Sequence, residues 1–441
     1  MSDRTVHPAA DLGPALRFYR NVSPVLAGLP PLLAPFFPKL AEGVAGRRGL
    51  LRRLLAASAT VRGGVWFHVT SVGEYEQARP LITALQEQDA RRPIMVTHFS
   101  PSGYEYAHRR PCADVHDYLP FDDPRSMARL VQAWRPRALV FIKFDCWPNQ
   151  VMAARRQGVP VVLLAGSLQP GSTRLRPLVR GMYRDLFDRF AHIGVCTEED
   201  RRRFVQDLGV GAPVSVTGDT RVEQVILRWE AAREGRTAAT LRALGGRVLV
   251  LGSTWPPDEA LWLPILPELL RRQPDLRVVL CPHEPEARRL AGLEKALAGA
   301  GVPSLRLGAL MAGADGGAAR VILVDSIGVL AEIYRSGHLA YVGGSFTTGV
   351  HNTMEPAVCS LPVLFGPRIR NAEEAGLLVE RGAGFVLAAP AAALARADGL
   401  LGDDEERRRL GREAHRVVLE QRGATERSLA VLGPLLARPA G

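Results

Sequence analysis

The chain has 441 residues, 47% of them hydrophobic and 23% charged, an ordinary globular balance that is too long for one core and points to two domains of roughly 200 residues each. Its net charge of +11, carried far more by arginine than by lysine, suits a partner rich in phosphate or carboxylate. No nucleic-acid partner is expected, because the arginines are spread along the chain and neither zinc-finger spacing nor an RNP aromatic stretch is present.

Residues 1–60 form an N-terminal, membrane-proximal segment. Within it, residues 21–38 (NVSPVLAGLPPLLAPFFP) carry no charge, and Pro24, Pro30, Pro31, Pro35 and Pro38 are expected to break any membrane-spanning helix. The charged flanks at Asp3 and Asp11 and the lack of a small-residue cleavage pattern argue against a secretory signal. Lys39, Arg47, Arg48, Arg52 and Arg53 follow directly. Apolar residues backed by cations fit a shallow contact with lipid headgroups, and a proline-rich segment packed on its own domain fits the same composition.

Apolar runs then alternate with helix-length stretches. They lie at 65–70, 93–100, 138–144, 159–166, 192–197 and 214–218, and read as βα units around a parallel sheet over 61–219. Residues 220–246 read as a charged, largely helical connector without a strand. A second set follows at 247–254, 276–284, 321–326, 339–345 and 361–367, giving a second domain over 247–401, and charged helices over 402–441 that can pack back across. The fold class is α/β, two Rossmann-like doubly wound domains in tandem with a cleft between them. Five widely spaced cysteines, Cys112, Cys146, Cys196, Cys281 and Cys359, indicate a reducing compartment and no metal or disulfide framework.

Polar residues cluster where the strands end. HVTSVGE turns through Ser71, Val72 and Gly73 and puts Glu74 at the start of a helix, where a carboxylate serves either as a general base for a hydroxyl or as helix-start chemistry. On the second reading the helix dipole lowers its pKa. In the later domain, GGSFTTGVHNTMEPA offers Gly343, Gly344 and Ser345 for close ligand approach, then His351 and a short helix capped by Asn352, whose free amides suit a phosphate. Glu355 is either a ribose ligand or the partner in a capping box. GSTWPPDE, with Ser253 and Thr254, and CPHE, with Pro282 and His283, bring further polar groups to the same edge, the pattern of a nucleotide site.

Taken in order, SVGE, WPN at 147–149, GDTR at 218–221, GST at 252–254 and GGSFTTGVHNTMEPA resemble the 3-deoxy-D-manno-octulosonic acid (Kdo) transferase family over about residues 15–425. The resemblance implies a GT-B fold with 61–219 as the acceptor-binding and 247–401 as the nucleotide-sugar-binding domain, CMP-Kdo as donor, a lipid A precursor (lipid IVA) as acceptor, inversion at the anomeric carbon, and a peripheral place on the cytoplasmic face of the inner membrane. It also implies Glu74 as proton acceptor, Arg221 as transition-state stabiliser where the family usually has lysine, and CMP contacts at Pro282 and His283, Ile327, Gly328 and Val329, and Asn352, Thr353, Met354 and Glu355. The family's Glu-x-Glu is here Lys143, Phe144 and Asp145, a charge reversal that leaves the roles of Lys143 and Asp145 open. Its Pro-Arg-His is Pro282, His283 and Glu284, its Gly-Glu-Leu is Gly328, Val329 and Leu330, and its N-terminal spanning helix is not expected. No Asp-x-Asp pair points to a metal, so metal independence and no cofactor are expected. Two other readings fit the same scaffold: a nucleotide-sugar epimerase, and a membrane-associated sugar-nucleotide-binding protein without catalysis.

Overall fold

The computed structural model describes residues 12–231 and 235–437. They form two compact units: residues up to Gln224 together with those from Gly423 make unit 1, and Val225–Arg422 make unit 2.

Unit 1 is built on β1 (Val65–Val69), β2 (Ile94–His98), β3 (Val115–Tyr118), β4 (Ala138–Ile142), β5 (Val161–Gly166), β6 (His192–Val195) and β7 (Val214–Val216). They lie in the order β3-β2-β1-β4-β5-β6-β7, all parallel. Because helices cover both faces, the central strands β1, β4 and β5 are apolar but for His68 and are buried end to end. Phe67 of β1 pairs in register with Val96 and Val140, and separate apolar clusters fill the two faces. Unit 2 repeats the plan with β8 (Arg247–Thr254), β9 (Leu276–Pro282), β10 (Ser304–Arg306), β11 (Val321–Leu323), β12 (Leu339–Val342), β13 (Val363–Phe365) and β14 (Gly384–Val386) in the order β10-β11-β9-β8-β12-β13-β14. Strand order reverses between β1 and β4 in unit 1 and between β8 and β12 in unit 2. Doubly wound sheets bind ligands at such points, beyond the carboxyl ends of the strands.

The apolar runs anticipated most of these strands but not β3, β10 or β14. Each is an edge strand of three or four residues, and β3 (VHDY) carries two polar side chains. Edges need less apolar character because one side has no neighbour.

The N-terminal segment corrects an expectation. Pro14–Leu33 is one continuous helix with Pro24, Pro30 and Pro31 inside it. Pro24 has no N–H for the carbonyl of Arg20, and the Ser23 hydroxyl donates to that carbonyl instead, at 3.2 Å. No helix among the described residues is long and apolar enough to cross a membrane. Leu16, fully buried, and two polar contacts hold this helix to the protein: Tyr19 donates to Asp122 at 3.0 Å and Ser23 accepts from Asn149 at 2.8 Å. Asp122 is buried and also accepts from the backbone of Asn149 and Gln150, capping the helix Pro148–Arg156. The WPN motif is therefore partly a fastening. Outward, Phe18, Val25, Leu26, Leu29, Leu32, Leu33, Phe36 and Phe37 are exposed, Phe36 by 75%.

Asp122 thus joins three elements, and Asp122→Ala should destabilise the protein by about 3 kcal/mol, as three hydrogen bonds at about 1 kcal/mol each imply. Denaturant melts measure the loss, and limited proteolysis should show faster cleavage at Arg17 and Arg20 as the helix loosens.

Candidate functional site

The reversal point of unit 1 gathers Glu74, Lys143 and Asp145. β1 ends at Val69, and the helix Val72–Gln88 begins at once, its N-cap Ser71 accepting from the Glu74 N–H at 3.3 Å. The Glu74 carboxylate turns back and accepts from the Thr70 N–H at 2.5 Å and from the Thr70 hydroxyl at 2.9 Å. Helix-start chemistry and an inward carboxylate are therefore one arrangement. Glu74 is only 3% exposed. Burial, opposed by the two Thr70 hydrogen bonds, raises its pKa from 4.5 to about 7, with the Asp145 charge adding to the rise and Lys143 opposing it. Desolvation thus outweighs the lowering expected from the helix dipole, and leaves a carboxylate suited to taking a proton near neutrality.

Asp145 follows β4 and stands on the far side of the same hydroxyl, at 3.1 Å from Thr70 Oγ1, while Arg174 holds its other oxygen at 2.8 Å. A hydroxyl has one proton to donate. Thr70 can satisfy both carboxylates only when one of them is protonated, and the buried Glu74 is the one whose pKa is raised. Thr70 and Arg174 were not singled out in the sequence, although Thr70 lies inside the quoted HVTSVGE stretch.

Arg221 joins this site through the helix of Glu74. Gln77, three residues on and so on the same face, donates to Asp219 at 2.9 Å, and Asp219 pairs with Arg221 at 2.6 Å. Burial works against ionising Asp219, but Arg221 and Gln77 prevail and its pKa is lowered. Behind the site, Trp147 donates to His68 Nε2 at 2.9 Å, leaving the proton on Nδ1 to meet Thr97 at 3.0 Å. Burial keeps His68 neutral, with its pKa lowered to about 3.

In unit 2 the sequence-derived residues lie beyond four neighbouring strands: Ser253 and Thr254 at the end of β8, Pro282 and His283 at β9, Ile327, Gly328 and Val329 after β11, and Gly343, Gly344 and Ser345 after β12. Ile327 is 85% exposed, and Gly328 has φ +90°. Three rings meet here. His283 stacks on His351 at 4.3 Å and on Trp255 at 4.9 Å, while Trp255 donates to His351 Nε2 at 2.9 Å. Burial lowers the His351 pKa to about 4, so this set is uncharged near pH 7.

Two local expectations change. A Cβ on Gly343 would meet Ser253 O and Asp258, and one on Gly344, at φ +95°, would meet Gly349 O and the His351 ring, so the close approach that requires glycine is made by the protein itself. Ser345 is buried and accepts from the Gly366 N–H at 2.7 Å. The organiser is Asp258, which sequence reading passed over. It accepts from Tyr341 at 2.6 Å, from the Trp255 N–H at 2.8 Å and from the Gly344 N–H at 3.0 Å. Farther on, the helix Met354–Val358 has only five residues, and Thr353, not Asn352, stands immediately before it. The Asn352 side chain still acts as a cap by accepting from the Met354 N–H at 3.1 Å, which commits one amide of the supposed anion site. Glu355 pairs with Arg228 at 3.6 Å and lies 3.4 Å from Asn352 Nδ2. Among the described residues no group of three or more His, Cys, Asp or Glu is placed to hold a metal ion.

The family model described as 3-deoxy-D-manno-octulosonic-acid transferase (kdotransferase) matches residues 42–224, which contain Glu74, Lys143, Asp145 and Arg221. The 3-deoxy-D-manno-octulosonic acid transferase of Chlamydophila psittaci is 32% identical over 328 residues, covering 73% of this chain and 74% of that protein. The chain belongs to the Kdo transferase family. A Bordetella pertussis member is 29% identical over 425 residues, 92% of this chain and 97% of its own. Among solved structures, the UDP-GlcNAc 2-epimerase of Neisseria meningitidis superposes with a TM-score of 0.60 over 84% of this chain and 100% of its own, at 13% identity. At that identity the likeness shows the tandem doubly wound GT-B fold, and the epimerase reading has no further support. As a Kdo transferase family member the chain is a glycosyltransferase.

A base must be ionised to act, so if Glu74 is the base, kcat/KM of this Kdo transferase should rise with pH through about 7, and Asp145→Asn, which removes the neighbouring charge, should move that rise to lower pH. The same raised pKa acts on stability. Its contribution is fully present below about pH 4.5 and is lost as pH rises through about 7. Glu74→Gln should therefore stabilise the protein by roughly 3 kcal/mol at pH 8 and leave it unchanged at pH 4.5. Pairs of denaturant melts at the two pH values test this.

Proposed function

We propose that the chain moves Kdo from CMP-Kdo to a sugar hydroxyl of a lipid A precursor, lipid IVA, with inversion at the anomeric carbon. The observation that carries this reading is the buried Glu74 carboxylate at the strand-order reversal of unit 1, with its pKa raised to about 7. Glu74 takes the proton of the acceptor hydroxyl as that oxygen attacks the ketose carbon. The bond from that carbon to the CMP phosphate oxygen breaks, and CMP leaves with the electron pair. Attack opposite the leaving group inverts the centre. Arg221, held by Asp219, supplies positive charge to the anionic transition state. The nucleotide contacts are proposed at Ser253, Thr254, Pro282, His283, Ile327, Gly328, Val329, Gly343, Gly344, Ser345, His351, Asn352, Thr353, Met354 and Glu355. Support comes from their place beyond β8, β9, β11 and β12 and in the loop and short helix that follow β12. Transfer without a metal or cofactor is part of the proposal, and activity that survives a chelator is its expected outcome.

The acceptor is a lipid, and we propose a peripheral position on the cytoplasmic face of the inner membrane. The outward face of the helix Pro14–Leu33 supports this. Phe18, Val25, Leu29 and Leu32 follow one another at helical spacing and are exposed, as is Phe36 in the turn Ala34–Phe36 that follows, while Tyr19 and Ser23 are turned inward. Contiguous exposed apolar residues mark contact with a partner or a membrane. Beside it a groove of about 650 Å³ combines apolar walls from Leu40, Phe99 and Phe121 with charges of both signs from Lys39, Arg47, Glu42 and Glu105.

Incubation with CMP-Kdo and lipid IVA, followed by mass analysis, should give acceptor heavier by whole Kdo units. Glu74→Ala should lower turnover at least about 100-fold while CMP still binds, the usual size of a general-base contribution. Unchanged turnover removes Glu74 from the reaction. In a separate test, changing Leu32, Leu33, Phe36 and Phe37 to serine should abolish co-sedimentation with anionic vesicles and slow transfer to membrane-embedded acceptor, with CMP affinity intact. Sedimentation equal to that of the parent sinks the membrane assignment.

A further inference from the structure

Lys143 is the first residue after β4 and has φ +72°, a left-handed backbone that a side chain other than glycine seldom adopts. The sheet enforces it: the Lys143 N–H donates to Leu164 O at 2.9 Å, and its carbonyl accepts from Ser167 at 3.4 Å. Strained positions of this kind persist where surrounding structure over-determines them, and they cluster at functional sites.

The ammonium group has no ion-pair partner among the described residues. Its immediate neighbour Asp145 is already engaged, by Arg174 at 2.8 Å and by the Thr70 hydroxyl at 3.1 Å. What Lys143 Nζ does meet is the face of Phe144, 5.4 Å from the ring centroid, which Arg174 shares at 4.5 Å. An aromatic face orients a cation but does not neutralise it. The charge is also felt by Glu74, whose pKa it lowers. A half-buried, unpaired lysine therefore stands beside the proposed base, at the strand-order reversal where ligands of doubly wound sheets bind.

We infer that Lys143 is an anion-binding residue of the Glu74 site, receiving a substrate carboxylate or phosphate through its ammonium group and so fixing how the reacting groups meet the base. This rests on the transferase reading above. The resemblance leads to a glutamate at this position, so the contact is one that a glutamate there could not make. Two sources supply such an oxyanion: the carboxylate of the transferred sugar acid and a phosphate on the acceptor.

Lys143→Met removes the charge and keeps a chain of similar length. In the active enzyme it should raise KM about tenfold for whichever substrate brings the anion and leave the other KM within about twofold, and Lys143→Arg should recover most of the loss. A rise for CMP-Kdo identifies the sugar carboxylate, and a rise for the acceptor identifies its phosphate. Both KM values unchanged in Lys143→Met overturn the inference. A second measurement needs no turnover: free Kdo or inorganic phosphate should slow acetylation of Lys143 in the full chain. Peptide mass spectrometry reads it, with the exposed Lys39 and Lys295 as internal references. If the parent transfers no Kdo but Lys143 is protected, the transferase reading fails and the anion site stands. If the parent is inactive and nothing protects Lys143, both fail.

Discussion

A carboxyl group almost wholly buried at the end of β1, Glu74, is the constraint around which unit 1 is arranged. Left alone in an apolar site, such a group stays protonated at any pH a cell offers. Here the end of β1 supplies compensation: Thr70, the first residue past the strand, gives its N–H to Glu74 at 2.5 Å and its hydroxyl at 2.9 Å. These bonds work only if β1 stops at Val69 and the helix starts at Val72, so strand length, Ser71 cap and carboxylate depend on one another. Beneath them, the Trp147 to His68 to Thr97 chain ties the loops after β4 to β1 and β2. Neutral buried histidine suits that place because a charged ring would add a second ionic demand beside the first.

Unit 2 solves a related problem with its own carboxylate. Asp258 takes three donors, from Tyr341, Trp255 and Gly344, and thereby binds the ends of β8 and β12 across the reversal of strand order. Gly343 is needed so that these two strand ends can lie against each other, and Gly344 so that the loop after β12 can fold back on Gly349 and His351. The result is a fixed rim carrying the Trp255, His283 and His351 rings.

Much of this was legible in the sequence. Central strands are buried on both faces and so read as largely apolar runs, which made β1, β2, β4, β5, β8, β9 and β12 plain even where β1 and β2 bury His68, Thr97 and His98. Edge strands such as β3 and β14 carry no such signal. Glu74 was legible because SVGE joins a strand end to a helix start, but its raised pKa was not, since burial is a property of the fold. Residues acting through distant partners escaped for the same reason: Arg174 lies 29 positions from Asp145, Asp258 lies 83 from Tyr341, and neither spacing has a local pattern. The proline-containing helix was misjudged because the rule against internal proline considers the lost bond and not its replacement, which Ser23 provides to Arg20.

The return of the chain to unit 1 has a consequence for how the molecule is made. The helix Ala424–Leu436 places Leu432 and Leu436 in the unit 1 core, Arg137 donates to Leu436 O at 2.8 Å, and Arg427 donates to Thr217 O at 3.1 Å. Unit 2 is continuous in sequence and lies wholly upstream of that helix. Domains fold as units while the chain emerges from the ribosome, generally starting from the N-terminus. Here unit 2 has all its residues before unit 1 does, so the sheet that begins first is completed last. Until the final helix arrives, unit 1 waits with a bared apolar flank, a period in which chaperone binding or premature association competes with closure.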